Sequence, residues 1–250
     1  MATASISLVR EQTEKVRPPR ALWVPFALGR PLGSATDPDF QKDVLRAAFA
    51  MLDTATERTI SDYDVAIPDE AGPGQWACPL NLGPATADTF ADRLVAEVDR
   101  LRPWAEETRR ARGRTLFGVT GATPEQVGEV ATALGTIADS GNVTEVPTTD
   151  VDWEFDMPLL TRHLTDDLRT FYHEAIAAQP GAAAPNHDAL NDWIFGGSAL
   201  GDTLLAIGDH LTADGGPYAM LVRGLTIPEG HYKGGSAFPA NKDFGITDGE

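Results

Sequence analysis

The sequence predicts an α/β fold, with a parallel or mixed sheet and flanking helices in the N-terminal part, followed by a mainly helical C-terminal part. Two observations support this prediction. Over residues 1–150, short segments of strand-forming residues alternate with helical patterns, an order typical of parallel strands joined by helices. From Trp153 onward, apolar residues recur at helical spacing and the strand pattern does not return. We therefore predict a Rossmann-like α/β part at 1–150, a helical part at 151–225 and an irregular tail at 226–250, in one compact domain or more.

Each predicted element has its own local signal. Residues rich in β-branched and aromatic side chains predict strands at 4–9, 21–26 and 114–121, with a weaker alternation at 60–67. Apolar residues spaced three and four apart predict helices at 37–54, 86–112, 123–139, 156–178 and, in pieces that meet near Ser198, 190–211. Asp37 and Thr123 each precede a proline, so they are predicted helix N-caps with proline in the first helical position.

The charge balance excludes several classes of function. The chain has 250 residues, 37 acidic and 20 basic, and a net charge of -17, which repels nucleic acids and anionic membrane surfaces. No apolar run approaches the ~20 residues of a membrane-spanning helix, and the first residues lack the apolar core of a secretory signal. Cys78, the single cysteine, cannot form an internal disulfide. We expect an acidic, cytoplasmic protein that binds neither nucleic acid nor membrane.

A glycine-containing loop follows the second predicted strand, in the stretch ALWVPFALGRPLG at 21–33. Ligands of parallel sheets bind beyond the carboxyl ends of the strands. There Gly29 and Gly33 permit close backbone approach, and Arg30 can bind a carboxylate through two parallel hydrogen bonds. The spacing differs from the dinucleotide fingerprint G-x-G-x-x-G. The loop therefore predicts a site for a small carboxylate; alternatively, the glycines only form a turn and Arg30 pairs with a surface acid.

Four further residues are candidates for chemistry or binding. Cys78 lies in a Pro/Gly-rich loop, where an exposed thiol is a candidate nucleophile and a buried thiol is only a small apolar side chain. His163 and His173 lie on the helix predicted at 156–178 and are candidate catalytic residues. Trp193 is predicted either to form a wall of the substrate pocket or to pack in the core.

The histidine distribution raises a metal site as an alternative. All 5 histidines lie in the second half of the chain. His163, Asp167 and Glu174 share one face of a predicted helix, and with His210 from a later helix they form a nitrogen and oxygen ligand set. The other interpretation is an exposed polar face with local charge pairs, since no tight metal motif such as H-E-x-x-H is present. The sequence names no other cofactor.

Two stretches in residues 4–54, VRPPRALWVPFALGRPLG and DPDFQKDVLRAAFAML, resemble the glycine/sarcosine/betaine reductase component B (selenoprotein B) family. The later stretches DDLRTFYHEA and LNDWIFGGSALGDTLLAI are similar to the rear part of short relatives of that family. The resemblance implies reductive cleavage of a carbon-nitrogen bond by a selenocysteine or cysteine beside a second thiol, and it implies that Gly29, Arg30 and Gly33 bind the carboxylate. This chain is a short form without that pair, so Cys78 needs a second sulfur from a partner.

The resulting prediction is a reductase-like enzyme that acts on a small amino-acid-like carboxylate or amine. Two alternatives stay open. One is a non-catalytic binding subunit that kept the fold after losing the paired thiol, and the other is a metal-dependent enzyme of the helical part. The expected partners are the small molecule itself and either a second copy, in a homo-oligomer, or a redox partner protein.

Overall fold

A computed structural model describes residues 2–26, 29–34, 37–65, 87–180, 185, 187–228 and 231. The chain forms two compact units, Met1–Glu70 and Ala71–Glu250. The first contains a parallel sheet with helices and the second is helical in its described residues, so the predicted fold class is confirmed. The units divide at residue 70, whereas the sequence pattern changes near residue 150, because helices predicted to flank the sheet belong to the helical unit.

The first unit contains three parallel strands in the order β1-β2-β3. Its elements are β1 (Ser5–Ser7), α1 (Arg10–Val16), β2 (Arg20–Trp23), α2 (Pro38–Thr54) and β3 (Thr59–Asp62). Ser5 lies opposite Ala21, and Arg20 lies opposite Thr59. Because all three strands run in one direction, their carboxyl ends lie at one edge of the sheet, as the sequence predicts.

Helix α2 begins where its sequence predicts. The Asp37 carboxylate accepts a hydrogen bond from the Phe40 N–H at 3.0 Å, and Pro38 occupies the first helical turn. The apolar face of α2 packs against residues of β2 and the segment after it, and together they form a small core. Its buried members are Val44, Ala48 and Met51 on α2, with Leu22, Val24 and Phe26. The predicted N-cap is therefore confirmed, and it places a carboxylate on the amide groups at the start of α2.

The second unit is a bundle in which α3 packs against α4, α5 and α7. Its described helices are α3 (Phe90–Arg112), α4 (Val127–Ser140), α5 (Leu159–Ala177), α6 (His187–Gly197), α7 (Ala199–Asp214) and α8 (Pro217–Thr226). Helix α3 continues through Pro103, which the sequence predicts as a kink or interruption. At the α3–α4 crossing a Cβ on Gly135 would lie 2.3 Å from the Ala91 Cα, so this close approach requires glycine.

The segment at 114–121 is a loop, and its predicted strand is wrong. The reason lies in its backbone hydrogen bonds. The N–H groups of Gly118, Val119 and Thr120 donate to one side chain, Asp167 on α5, at 2.7 to 3.1 Å. These amide groups are satisfied without a neighbouring strand.

Short helices and capping details complete the comparison with the predicted elements. Helices α1 and α8 have no counterpart among the predicted elements. Thr123, a predicted N-cap, forms a capping box with Gln126 before α4, and the Ser198 side chain caps α7. Among the described helices, none is both long and apolar enough to cross a membrane.

Candidate anion-binding pocket

The helical unit has a surface pocket of about 680 Å³ beside the end of α3 and one face of α5. Pockets of this size hold small organic ligands. Its charged and titratable lining residues are Arg112, Arg114, Asp166, Arg169, His173 and Glu174. Three of these charged and titratable groups are guanidinium cations.

The lining residues come together through the end of one helix and the spacing of another. Helix α3 ends at Gly113, whose left-handed conformation (φ 64°) turns the chain between Arg112 and Arg114. On α5, Asp166, Arg169 and His173 are three and four residues apart, so they lie on one face of the helix. The two segments form adjacent walls of the pocket.

Asp167 fixes the loop that forms one wall. Besides the three backbone N–H groups, its carboxylate accepts a hydrogen bond from the Thr120 hydroxyl at 2.6 Å. Asp167 and Thr120 are both fully buried. A buried carboxylate with several donors holds its neighbours in place, so the wall containing Thr115 and Leu116 is attached to α5 before any ligand arrives.

The two carboxylates in the pocket wall already have cationic partners. Glu174 accepts from the Arg109 Nε at 2.9 Å and from the Thr115 hydroxyl at 2.6 Å. Asp166 forms an ion pair with Arg162, one turn before it on α5. Each acid is therefore balanced by an arginine outside the pocket lining, which leaves the lining arginines uncompensated.

Arg169 is a half-buried cation that forms no ion pair or hydrogen bond with any residue in the described part of the chain. Burial and the nearby charge of Arg162 lower the pKa of Arg169. Both causes act against the charged form of a guanidinium, and none of the acids that the structure describes compensates them. Arg112 and Arg114 are exposed and likewise pair with none of the described residues.

The structure separates the predicted residues of α5. His173 and Glu174 line the pocket. His163 instead stacks on Phe155, with ring centroids 4.1 Å apart, and burial followed by the Arg162 charge lowers the pKa of its imidazole. Its Nδ1 lies 3.5 Å from an oxygen of Asp166. His163 is thus near the pocket wall without lining it.

Three of the four residues proposed as metal ligands, Asp167, Glu174 and His210, form hydrogen bonds with other groups. Asp167 and Glu174 accept the hydrogen bonds given above, and the His210 Nε2 lies 3.0 Å from the carbonyl oxygen of Ala138. Within the residues that the structure describes, no group of three or more His, Cys, Asp or Glu side chains is arranged to hold a metal ion. Asp167 and Glu174 are buried, so this region is not an exposed polar face, although Arg162 and Asp166 form a local charge pair on it.

The loop predicted to bind a carboxylate lies after β2 in the first unit. Gly29 and Gly33 have φ values of 88° and 85°, and the Gly33 N–H donates to the Arg30 carbonyl oxygen at 2.9 Å. Arg30 is exposed. The glycines therefore form a turn, and the neighbouring start of α2 carries the Asp37 carboxylate, which competes with an incoming anion for the same amide groups.

Two other candidates have simple outcomes. Trp193 is half-buried, and its ring centroid lies 5.9 Å from that of Tyr172; it packs against the core of the bundle. Cys78 lies outside the described residues, so its role as nucleophile stays a prediction.

The three arginines of the pocket were not singled out from the sequence, although a signal was present. The stretch RRARGR at 109–114 places 4 arginines in six residues of an acidic chain. Basic clusters in an acidic chain indicate a local anion site. Arg169 gave no such signal, because its lack of a partner depends on the packing of α5.

Comparisons with protein-family models, with curated proteins and with solved structures find no match for this chain. The resemblance to the reductase family therefore stays a prediction.

Proposed function

We propose that the helical unit binds a small organic anion, with a carboxylate as its recognised group, in the pocket lined by Arg112, Arg114 and Arg169. One observation carries the proposal: Arg169 is a half-buried cation without a counter-ion among the described residues. Burying an unpaired charge costs free energy. A ligand that supplies the missing negative charge recovers that cost on binding.

The type of cation favours a planar anionic group. A guanidinium presents its N–H donors as a rigid fork that matches both oxygens of a carboxylate. His173, on the same wall, adds an imidazole that can donate to or accept from the rest of the ligand. These contacts suit a small carboxylate, which is the ligand that the sequence predicts for the loop at Gly29–Gly33.

The test is binding of named carboxylates to the full-length protein. Acetate, glycine, trimethylglycine and succinate would each be titrated by isothermal calorimetry, with thermal stabilisation as a second readout. We expect at least one to bind, and we expect Arg169→Met to weaken it by about ten-fold or more, since a buried charge-assisted hydrogen bond is lost. The matched control is Arg110→Met. Arg110 is an exposed arginine near the end of α3, is paired with Glu107 and lies outside the pocket lining.

Two outcomes would contradict the proposal. The first is that no tested carboxylate binds the wild-type chain. The second is that Arg169→Met and Arg110→Met reduce affinity equally, because the effect would then come from net charge and not from this pocket.

The second candidate is reductive cleavage of a carbon-nitrogen bond in a small amino acid, with Cys78 as nucleophile and a thiol of a partner protein as reductant. The resemblance of residues 4–54 to the reductase family supports it. Under this proposal Cys78→Ser abolishes release of the amine from glycine. Amine release by Cys78→Ser at the wild-type rate would remove Cys78 from the reaction.

A further inference from the structure

The pocket lining carries more positive charge than one carboxylate can balance. Arg112, Arg114 and Arg169 all line it, and none of them pairs with a described residue. Its two acids, Asp166 and Glu174, are balanced by Arg162 and Arg109. The lining therefore holds three uncompensated positive charges, in a chain whose net charge is -17.

We propose that the ligand of this pocket is a small dianion, and this inference rests on the proposed function. A monoanion leaves two of the three guanidinium charges unbalanced. A second negative charge on the same molecule pairs another of them without an additional loss of translational freedom. The acidic remainder of the protein repels anions in general, so the local excess of positive charge sets which anions are retained.

The placement of the cations fits two acidic groups on one molecule. Arg112 and Arg114 flank the turn at Gly113 that ends α3, whereas Arg169 projects from α5. The pocket volume of about 680 Å³ exceeds what a single carboxylate fills. One acidic group can bind at Arg169 while the other binds at the end of α3.

The shared chemistry is two negative charges on a compact molecule, supplied either by two carboxylates or by one phosphate group. Both match the guanidinium fork. The difference is spatial: a dicarboxylate spreads its charge over two places, whereas a phosphate concentrates it in one. Arg169 and the arginines of α3 lie on separate segments, so the geometry favours the dicarboxylate, and a phosphate arm distinguishes the two sources.

The experiment compares matched ligands on the full-length chain. Succinate is titrated against succinamate, which has the same length with one acid replaced by an amide, and against inorganic phosphate. We expect succinate to bind about ten-fold more tightly than succinamate and to lose that advantage as salt is raised. Phosphate that binds more tightly than succinate would assign the dianion to a phosphate source.

Variants locate the second charge. Arg114→Gln and Arg112→Gln are each expected to weaken succinate binding more than succinamate binding, and so to reduce the preference for succinate. Arg110→Gln is the control and should leave the preference unchanged, since Arg110 is paired with Glu107.

The two proposals fail in different ways. Equal affinity for succinate and succinamate, both dependent on Arg169, would overturn the dianion inference and keep the carboxylate pocket. Absence of binding by all three ligands would overturn the dianion inference, and it would overturn the carboxylate pocket as well if acetate, glycine and trimethylglycine also fail to bind. Binding unaffected by Arg169→Met would overturn both.

Discussion

Two charged residues of α5 that are two positions apart, Asp167 and Arg169, have opposite environments. Asp167 is fully buried and accepts four hydrogen bonds from one loop. Arg169 is half-buried and has no partner among the described residues. The Asp167 carboxylate is satisfied by hydrogen bonds within the protein, whereas the Arg169 guanidinium is available to a ligand.

The difference separates a structural charge from a functional one. A second satisfied carboxylate supports the same distinction: Glu97 on α3 accepts from the Tyr172 hydroxyl at 2.5 Å and from the Ala199 N–H at 2.9 Å. Each buried acid of this kind connects two elements of the bundle. Because buried charges are ordinarily paired in this way, the unpaired Arg169 marks the site.

The largest expected effect comes from removing the satisfied charge. Asp167→Ala leaves three backbone N–H groups of the 114–121 loop without an acceptor, so we expect it to lower the free energy of unfolding by about 3–5 kcal/mol. The neighbouring Asp166→Ala, whose side chain is 31% exposed and paired with Arg162, should cost less than about 1 kcal/mol. Urea denaturation of both variants makes the measurement. Similar losses for the two would mean that the Asp167 network does not hold the loop.

The second prediction concerns pH and the other satisfied acid. Burial raises the pKa of Glu97 in the folded protein above its ordinary value. The folded chain then retains a proton that the unfolded chain releases, so this contribution to stability is present at low pH and is lost as pH rises through the raised pKa.

Glu97→Gln removes that titration. The stability difference between the variant and the wild type is expected to shift in favour of the variant as pH rises from about 4.5. Denaturation series at several pH values measure it, with Glu107→Gln as an exposed control on the same helix. A difference that stays constant with pH, or shifts the other way, would contradict the raised pKa.

The smallest expected change in the free energy of unfolding comes from substituting Arg169, and the sign of that change tests its role. Arg169→Met replaces an unpaired, half-buried cation with an apolar side chain of similar length, so stability is expected to stay constant or rise by about 1 kcal/mol. Thermal and urea unfolding without ligand would show it. A loss of more than about 2 kcal/mol would mean that Arg169 has a structural role, and the comparison with Asp167 would no longer hold.

Local signals explain how much of the fold the sequence could predict. Helix α2 was predicted from Asp37, Pro38 and an apolar stripe, all of which act within a few residues. The strand predicted at 114–121 is wrong because a distant interaction decides its structure. Its composition favours a strand, but its backbone N–H groups donate to Asp167, 47 to 49 residues away. Tertiary hydrogen bonds of this kind override local propensity.

Some residues of the candidate pocket could be singled out from the sequence, whereas others could not. His173, a candidate catalytic residue, and Glu174, a candidate metal ligand from helical spacing, both line the pocket, but neither is predicted as part of an anion site. Arg169 could not be recognised in advance, because a lone arginine on a helix is ordinarily a solvated surface group. Its distinguishing property is a missing partner, which only the packed structure reveals.

The attachment of the loop to Asp167 also has a consequence for amide hydrogen exchange. The amides of Gly118, Val119 and Thr120 belong to a segment without regular secondary structure, yet each donates to a fully buried acceptor. Their deuterium uptake should be as slow as that of the helical interior, since exchange requires the bundle to open. An irregular segment of this chain thereby becomes a reporter of global unfolding.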